Sequence, residues 1–519
     1  MPTKSTLQRR STVWIPSAVA ALLAATASAQ LAPTAPGTSS LGAQPLPATS
    51  GTGGVNLPDM GSGANAMITR GEEFQVGRMM MKNLRDEGVV LEDPEATEYI
   101  QNLGGRIGAH AQEGTQRFSF FIVKDRAINA FAIPGGFIGM NSGLLLQTSN
   151  ESELAGVLAH EIGHVVQRHI ARAVQAQSRM SLPMMAAMLG AILVGAAGGG
   201  EGALGMISLA QGAAMQSQIN FTRMEESEAD RVGIGFLAAA NFDPNGMAGA
   251  FSMMSRVEGA KLEYYKLPDL LRSHPVTTQR IAEARARAAQ LPAVRRTDPL
   301  SYALIRERLR VSTSPSEEDL RPYYARMRST GLDGLAMDYG SALADLKAND
   351  APSAVNTLRR LVEENPGVTI LHSALGESQM EAGDRDAALK TFEHAMALYP
   401  RNIPVTVRYA ETLMRADRAG KAHQILLDLF NNEAPTPEQI RLTALAASAA
   451  GETGDAYYYM AEFHLASGDL MLATQQLDLA LAEPRLTEVQ RKRFTARRDE
   501  IREILREQRL GRSGYGGGR

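Results

Sequence analysis

The sequence predicts a mainly α-helical protein with a small mixed β-sheet near its first third, followed by an α-solenoid. Three observations carry this. Only 5% of the 519 residues are aromatic while Ala, Leu, Met and Glu are plentiful, a composition that favours helices. Three short runs rich in aromatic and β-branched residues cluster between 118 and 140. From about Gly331 onward, Ala, Leu and Tyr recur at helical spacing in units that close on a proline, with Pro366 and Pro400 34 positions apart (400 − 366). A chain this long is enough for two or three domains.

The N-terminus reads as an export signal. Lys4, Arg9 and Arg10 form a positive region, Val13 to Ala25 is mostly apolar, and Ala27-Ser28-Ala29 is an A-x-A cleavage site, so cleavage is expected after Ala29. A retained anchor is the alternative, but the apolar run is short of the roughly 20 residues a membrane span needs. Residues 30–64 are rich in Pro, Gly, Ser and Thr and nearly free of charge, which predicts a disordered linker. There is no cysteine, which excludes thiol catalysis, Cys-ligated zinc and disulfides. The formal net charge of −3 argues against a nucleic-acid partner.

A first domain is expected over 65–290. It begins with helical spacing through Phe74, Val76, Met79 and Met80 and again from Tyr99 to Ile107. Strands are predicted at Phe118–Val123, Ile128–Ile133 and Phe137–Met140, the last two joined by a Pro134-Gly135-Gly136 turn. A helix starts near Ser149 or Asn150, with acids in its first turn. Residues 181–222 carry a single charge, Glu201, and hold two apolar blocks, Met184–Ala197 and Ala203–Ala214. They read as buried core helices or, alternatively, as a hairpin that touches a membrane surface or an unfolded client; each block is too short to span a bilayer comfortably. Connecting helices are expected over 291–335 and tetratricopeptide-like repeats, about four units, over 336–485. Their inter-helix turns are read at Asn349-Asp350, Gly383-Asp384, Asp417-Arg418 and Gly468-Asp469, and a charged terminal helix with a flexible tail is expected over 486–519.

The chemistry lies in His160-Glu161-Ile162-Gly163-His164. Residues four apart share a helix face, so His160 and His164 present two imidazoles to one point, as a tetrahedral zinc requires. Glu161 stands beside that point, where it can take a proton from water on the zinc and pass it to a leaving amine. This is the chemistry of a zincin-like metalloendopeptidase with one Zn2+ per chain. His169 falls off that face and reads as an ordinary helix-end histidine. A third ligand is expected from the acid-rich stretch Phe221–Arg231, where composition leaves Glu225, Glu226 and Glu228 open and a solvated acidic face as the bland alternative.

The pattern His160-Glu161-Ile162-Gly163-His164 followed by Glu226-Ser227-Glu228-Ala229-Asp230 resembles the zinc peptidases grouped with HtpX and the CAAX prenyl proteases. The resemblance spans roughly 65–290. It implies that Glu226 is the third ligand, that Asp230 holds a ligating imidazole, and that Glu225 and Glu228 are surface acids. It also implies that Asn129, Ala130 and Phe131 lie on a strand bordering the cleft, to which a peptide adds by backbone hydrogen bonds. His274 would then approach the metal or substrate, and Arg280 would polarise a carbonyl. With an export signal and repeats added, the architecture resembles periplasmic quality-control peptidases. That implies unfolded or misfolded outer-membrane proteins as substrates, and the outer-membrane barrel assembly complex as a partner engaged through the repeats. A tetratricopeptide chaperone or scaffold with secondary or silenced protease activity is the competing reading; a pure scaffold has no physical need for Glu161.

Overall fold

The computed structural model describes residues 69–111, 117–176, 210–261, 274–294, 297–316, 318–331 and 334–514. The expected signal peptide, the 30–64 linker and most of the apolar 181–222 stretch lie outside the described residues.

Helix α1 (Arg70–Asp86) is started by a capping box between Thr69 and Glu72. Helix α2 (Pro94–Gly108) is capped by Asp93, whose carboxylate accepts from the Ala96 amide at 2.9 Å. The sheet follows: β1 (Ser119–Val123), β2 (Ala130–Ile133) and β3 (Phe137–Asn141). β3 is central, parallel to β1 and antiparallel to β2. The turn from β2 to β3 is tight because Gly135 and Gly136 adopt φ of 85° and 88°, a region open to glycine without strain. Among the described residues β2 pairs only with β3, so its outer backbone edge is unpaired.

Helices α3 (Ser142–Gln147) and α4 (Glu151–Val166) come next, and Asn150 caps α4 by accepting from the Glu153 amide at 2.9 Å. Every residue of α4 from Glu151 to Gly163 is buried. Helices α5 (His169–Ala176), α6 (Ala210–Ala239), α7 (Gly246–Lys261) and α8 (Thr278–Ala288) complete the unit, with α6 and α7 packed on α4. Side-chain-free positions permit that packing. A Cβ at Gly163 would stand 2.9 Å from the Ala229 carbonyl on α6, and one at Gly156 would stand 2.6 Å from the Met247 amide on α7. A single apolar core joins α2, the sheet, α4, α6 and α7.

Helices α9 (Leu300–Ser312) and α10 (Arg321–Ser329) lead into the solenoid: α11 (Leu335–Lys347), α12 (Ala351–Glu364), α13 (Thr369–Glu381), α14 (Arg385–Leu398), α15 (Ile403–Arg415), α16 (Ala419–Phe430), α17 (Pro437–Ala449), α18 (Thr453–Ala466) and α19 (Leu470–Ala482). The chain is thus mainly helical, with a small mixed sheet in its first unit and helical repeats after it. Left-handed residues end the first helix of four successive pairs, at Asn349, Gly383, Asp417 and Gly451, each 34 positions after the last. The Gly468-Asp469 turn was expected inside a pair and instead joins one pair to the next. Its local chemistry is the same as at Gly383-Asp384, since Asp384 caps α14 and Asp469 caps α19, so composition alone does not separate the two phases. The last helix is α20 (Glu488–Gly514). No described helix is long and apolar enough to cross a membrane.

Candidate metal centre

Three elements converge on one point: α4 brings His160, Glu161 and His164, α6 brings Glu226 and Asp230, and the segment entering α8 brings His274 and Arg280. The Nε2 atoms of His160 and His164 are 3.0 Å apart. Glu226 reaches across from α6, with Oε2 3.4 Å from His160 Nε2 and Oε1 3.3 Å from His164 Nε2. His274 Nδ1 lies 3.3 Å from His160 Nε2 and 2.8 Å from Glu226 Oε1. Bonds of 2.0–2.1 Å to a tetrahedral zinc place neighbouring donors about 3.3 Å apart, so the donor set and its spacing fit that ion. His160, His164, Glu226 and His274 form the metal-binding group, its donor atoms all within 4.8 Å of one another.

Around this group the carboxylates are held in turn. Asp230 Oδ1 is 2.8 Å from His160 Nδ1, and Arg280 donates from Nε and Nη2 to both Asp230 oxygens at 3.0 and 2.8 Å. The same guanidinium reaches Glu226 Oε2 at 2.8 Å and the Pro275 carbonyl at 2.9 Å, and covers the Phe251 ring at 4.6 Å. Arg280 is therefore taken up by the site's own groups rather than turned toward a substrate carbonyl.

Burial opposes charge on His160, yet Asp230 and Glu226 override it and push that imidazole up to about 10. Burial pulls the neighbouring His164 down to about 3, with His160 and His274 adding to the effect. Burial also disfavours ionised Glu226 and Asp230, but the surrounding histidines and Arg280 hold both carboxyls below their usual range. Glu161 is 1% exposed, and its Oε1 has no hydrogen-bond partner among the described residues; His274 Nε2 is 3.8 Å away. Asn129, just before β2, and Ala130 are buried and Phe131 is half-buried; β2 packs against α4.

Three further sequence expectations are corrected. His169 is not an ordinary helix-end residue: it is 3% exposed and its Nδ1 meets His164 Nδ1 at 2.8 Å. The cause is a break in the helix after Val166, with Arg168 in the left-handed region at φ 53°, which folds His169 back onto α4. Glu228 is not a free surface acid, since it binds His169 Nε2 at 3.3 Å and Arg172 at 2.8 Å. Glu225 is buried rather than exposed, and that burial pushes its carboxyl up to about 7. A glycine or asparagine at 168 would have signalled the break; arginine does not.

Two histidines four apart on one helix, completed by a glutamate from a second helix, define the class: a zinc-type metallopeptidase, here followed by helical repeats. The chain belongs to peptidase family M48, whose profile matches residues 94–288, and a tetratricopeptide-repeat profile matches residues 379–446. It is homologous over most of its length to beta-barrel assembly-enhancing proteases. The putative enzyme of that name from Vibrio cholerae is 34% identical over 387 residues, covering 73% of this chain and 78% of that protein. The Escherichia coli K12 protein is 30% identical over 453 residues, covering 86% and 91%. Metalloprotease LoiP of Escherichia coli K12 is 29% identical over 241 residues, covering 43% of this chain and 88% of that protein.

Proposed function

We propose that this metallopeptidase is a zinc-dependent endopeptidase of the periplasm. Its work there is protein quality control: it degrades misfolded or stalled outer-membrane proteins and assists their assembly. The observation that carries the reading is the donor group His160, His164 and Glu226 with the buried, unpartnered Glu161 Oε1 beside it. The names of the relatives, beta-barrel assembly-enhancing protease, support the substrate class, and the export signal read at 1–29 supports the compartment. The expected divisions, 65–290 for the peptidase and 336–485 for the repeats, go with this reading.

His160, His164 and Glu226 would hold the zinc. Zinc at such a site supplies a Lewis acid and lowers the pKa of a coordinated water to about 7. Asp230 Oδ1 stands 2.8 Å from His160 Nδ1, on the far side of the ring from Nε2, and Arg280 locks Asp230 and Glu226 in place. Glu161 Oε1 takes the proton from the attacking water and delivers it to the leaving amine. The unpaired edge of β2, with Asn129, Ala130 and Phe131, holds an extended segment of substrate by main-chain hydrogen bonds, a mode that reads extension more than sequence. The repeats recruit clients or the barrel assembly machinery on their surface.

A second reading, a tetratricopeptide chaperone or scaffold with secondary or silenced protease activity, is favoured by one observation: His274 Nδ1 occupies the fourth donor position. Metal analysis and casein digestion by the chain lacking 1–29, beside Glu161→Gln, separate the two. The first reading expects one zinc in each protein and proteolysis only in the unaltered one. Unchanged digestion by Glu161→Gln would remove the proton-transfer role, and a chain without stoichiometric zinc would remove the metal.

A further inference from the structure

His160 and His164 present Nε2 to the same point, yet their other nitrogens meet different groups. His160 Nδ1 faces a carboxylate, Asp230, itself held by Arg280 at 2.8 Å. His164 Nδ1 faces a second imidazole, His169, at 2.8 Å, with the two rings edge to face and 4.7 Å between centroids. An imidazole that offers Nε2 to a metal carries its proton on Nδ1. His164 Nδ1 is therefore a donor and His169 Nδ1 its acceptor. That places the proton of His169 on Nε2, which lies 3.3 Å from Glu228 Oε2, and Arg172 Nη1 donates to the same oxygen at 2.8 Å. Every proton in this row has one donor and one acceptor. At 3% exposure His169 leaves little room for water to take its place.

We propose that His169, oriented by Glu228 and Arg172, is a positioning residue. It fixes the tautomer and ring plane of His164 and thereby sets how tightly the centre holds its metal. This rests on the zinc reading above and deepens it. The backbone is shaped for the task. On an unbroken helix, residues five apart point in different directions. The left-handed Arg168, anchored to Glu73 at 3.0 Å, breaks α4 from α5 and brings His169 back beneath His164. The two ligands are also backed unequally. A carboxylate beside Nδ1 raises ligand basicity; Asp230 stands directly there on His160, whereas behind His164 Nδ1 the carboxylate of Glu228 stands one ring further out, so His164 is the weaker donor of the pair.

The test replaces His169 by Phe, which fills the space but accepts nothing, and by Gln, whose amide oxygen can accept from His164 Nδ1–H. Zinc affinity is read by chelator competition, and the visible spectrum is read on the cobalt-loaded proteins. Thermal unfolding is read on the metal-free proteins. His169→Phe is expected to lose about 10–100-fold in zinc affinity, the usual cost of removing such a support, and to shift the cobalt bands. His169→Gln is expected to recover most of that affinity, and the metal-free proteins to melt alike. Unaltered affinity and cobalt spectrum in His169→Phe would overturn the proposal. So would equal losses in Phe and Gln that track a drop in metal-free melting temperature, because that pattern reports packing. Failure of the unaltered chain to bind zinc stoichiometrically would overturn the zinc reading itself and this inference with it.

Discussion

Arg408 on α15 reaches Glu95 on α2 across 313 positions of sequence, with Nη2 and Oε2 3.0 Å apart. The pair belongs to a buried network in which Arg308 also meets Asp93 at 2.8 Å and Glu95 at 3.1 Å, and Arg408 meets Glu377 at 2.9 Å. Burial opposes charge on Glu95, but the two guanidiniums hold its carboxyl down to about 2. The solenoid is thereby pinned to the peptidase unit by ions that must be paired to be tolerated.

Arg408→Met is expected to lower stability by about 2 kcal/mol in urea unfolding. This is less than the roughly 3–5 kcal/mol of a fully orphaned buried charge, because Arg308 stays beside Glu95. A folded-state value below the ordinary 4.5 means the stabilisation from Glu95 is complete above about pH 4.5 and is lost as pH falls toward 2. The gap between variant and unaltered protein should therefore narrow over that window; a constant gap would argue that Arg408 acts by packing alone.

Glu98 responds to pH in the opposite sense. It lines a cleft of about 420 Å³ between α2, α9 and the start of α13. Burial there, reinforced by the charge of Glu95, pushes its carboxyl up to about 7 from an ordinary 4.5. A raised folded value means that stability is fully present below about pH 4.5 and declines as pH rises through 7. Glu98→Gln cannot ionise, so it should melt with the unaltered protein at pH 4.5 and above it at pH 8. Equal melting at both pH values would refute the assignment.

These junction residues mark the boundary of what was legible in the sequence. Helical period brought His160 and His164 to one face, and capping chemistry marked Asn150, because both depend on neighbours within a few residues. The 34-residue repeat was legible for the same reason. Glu226 was separable from Glu225 and Glu228 only by resemblance: which acid points at α4 depends on how α6 crosses it, a tertiary fact. His169 was hidden because Arg168 adopts a backbone conformation that its side chain does not advertise. The partners Glu95 and Arg408 carry no local pattern at all.

The crossing of α4 and α6 depends on glycine. A Cβ at Gly233 would stand 2.8 Å from the Ala159 carbonyl oxygen, a backbone atom that cannot swing aside. Gly233→Val should push α6 outward, draw Glu226 away from the two histidines, and cost about 1–3 kcal/mol as overpacking does. Gly235, two residues on, faces open space, so Gly235→Ala should leave metal affinity intact. Chelator competition on the two variants checks this. Equal affinities would mean that the helix spacing does not govern the ligand set.

His274 decides whether the described centre is ready to work. Catalytic zinc sites keep three protein ligands and an open fourth position, whereas sites with four protein ligands are structural. Here His274 Nδ1 stands 3.3 Å from His160 Nε2 and 2.8 Å from Glu226 Oε1, within the donor shell. With zinc held by His160, His164 and Glu226, a peptide and its attacking water would need that place, and His274 would have to withdraw before turnover. It sits just before α8 and not within a helix, so its withdrawal breaks no helical hydrogen bond. His274→Ala should therefore retain zinc through His160, His164 and Glu226 and cleave casein with a higher kcat than the unaltered chain. A variant that keeps its zinc but loses activity would show instead that His274 contributes to the reaction itself. The arrangement seen here would then be one working position of a group that moves between metal and substrate.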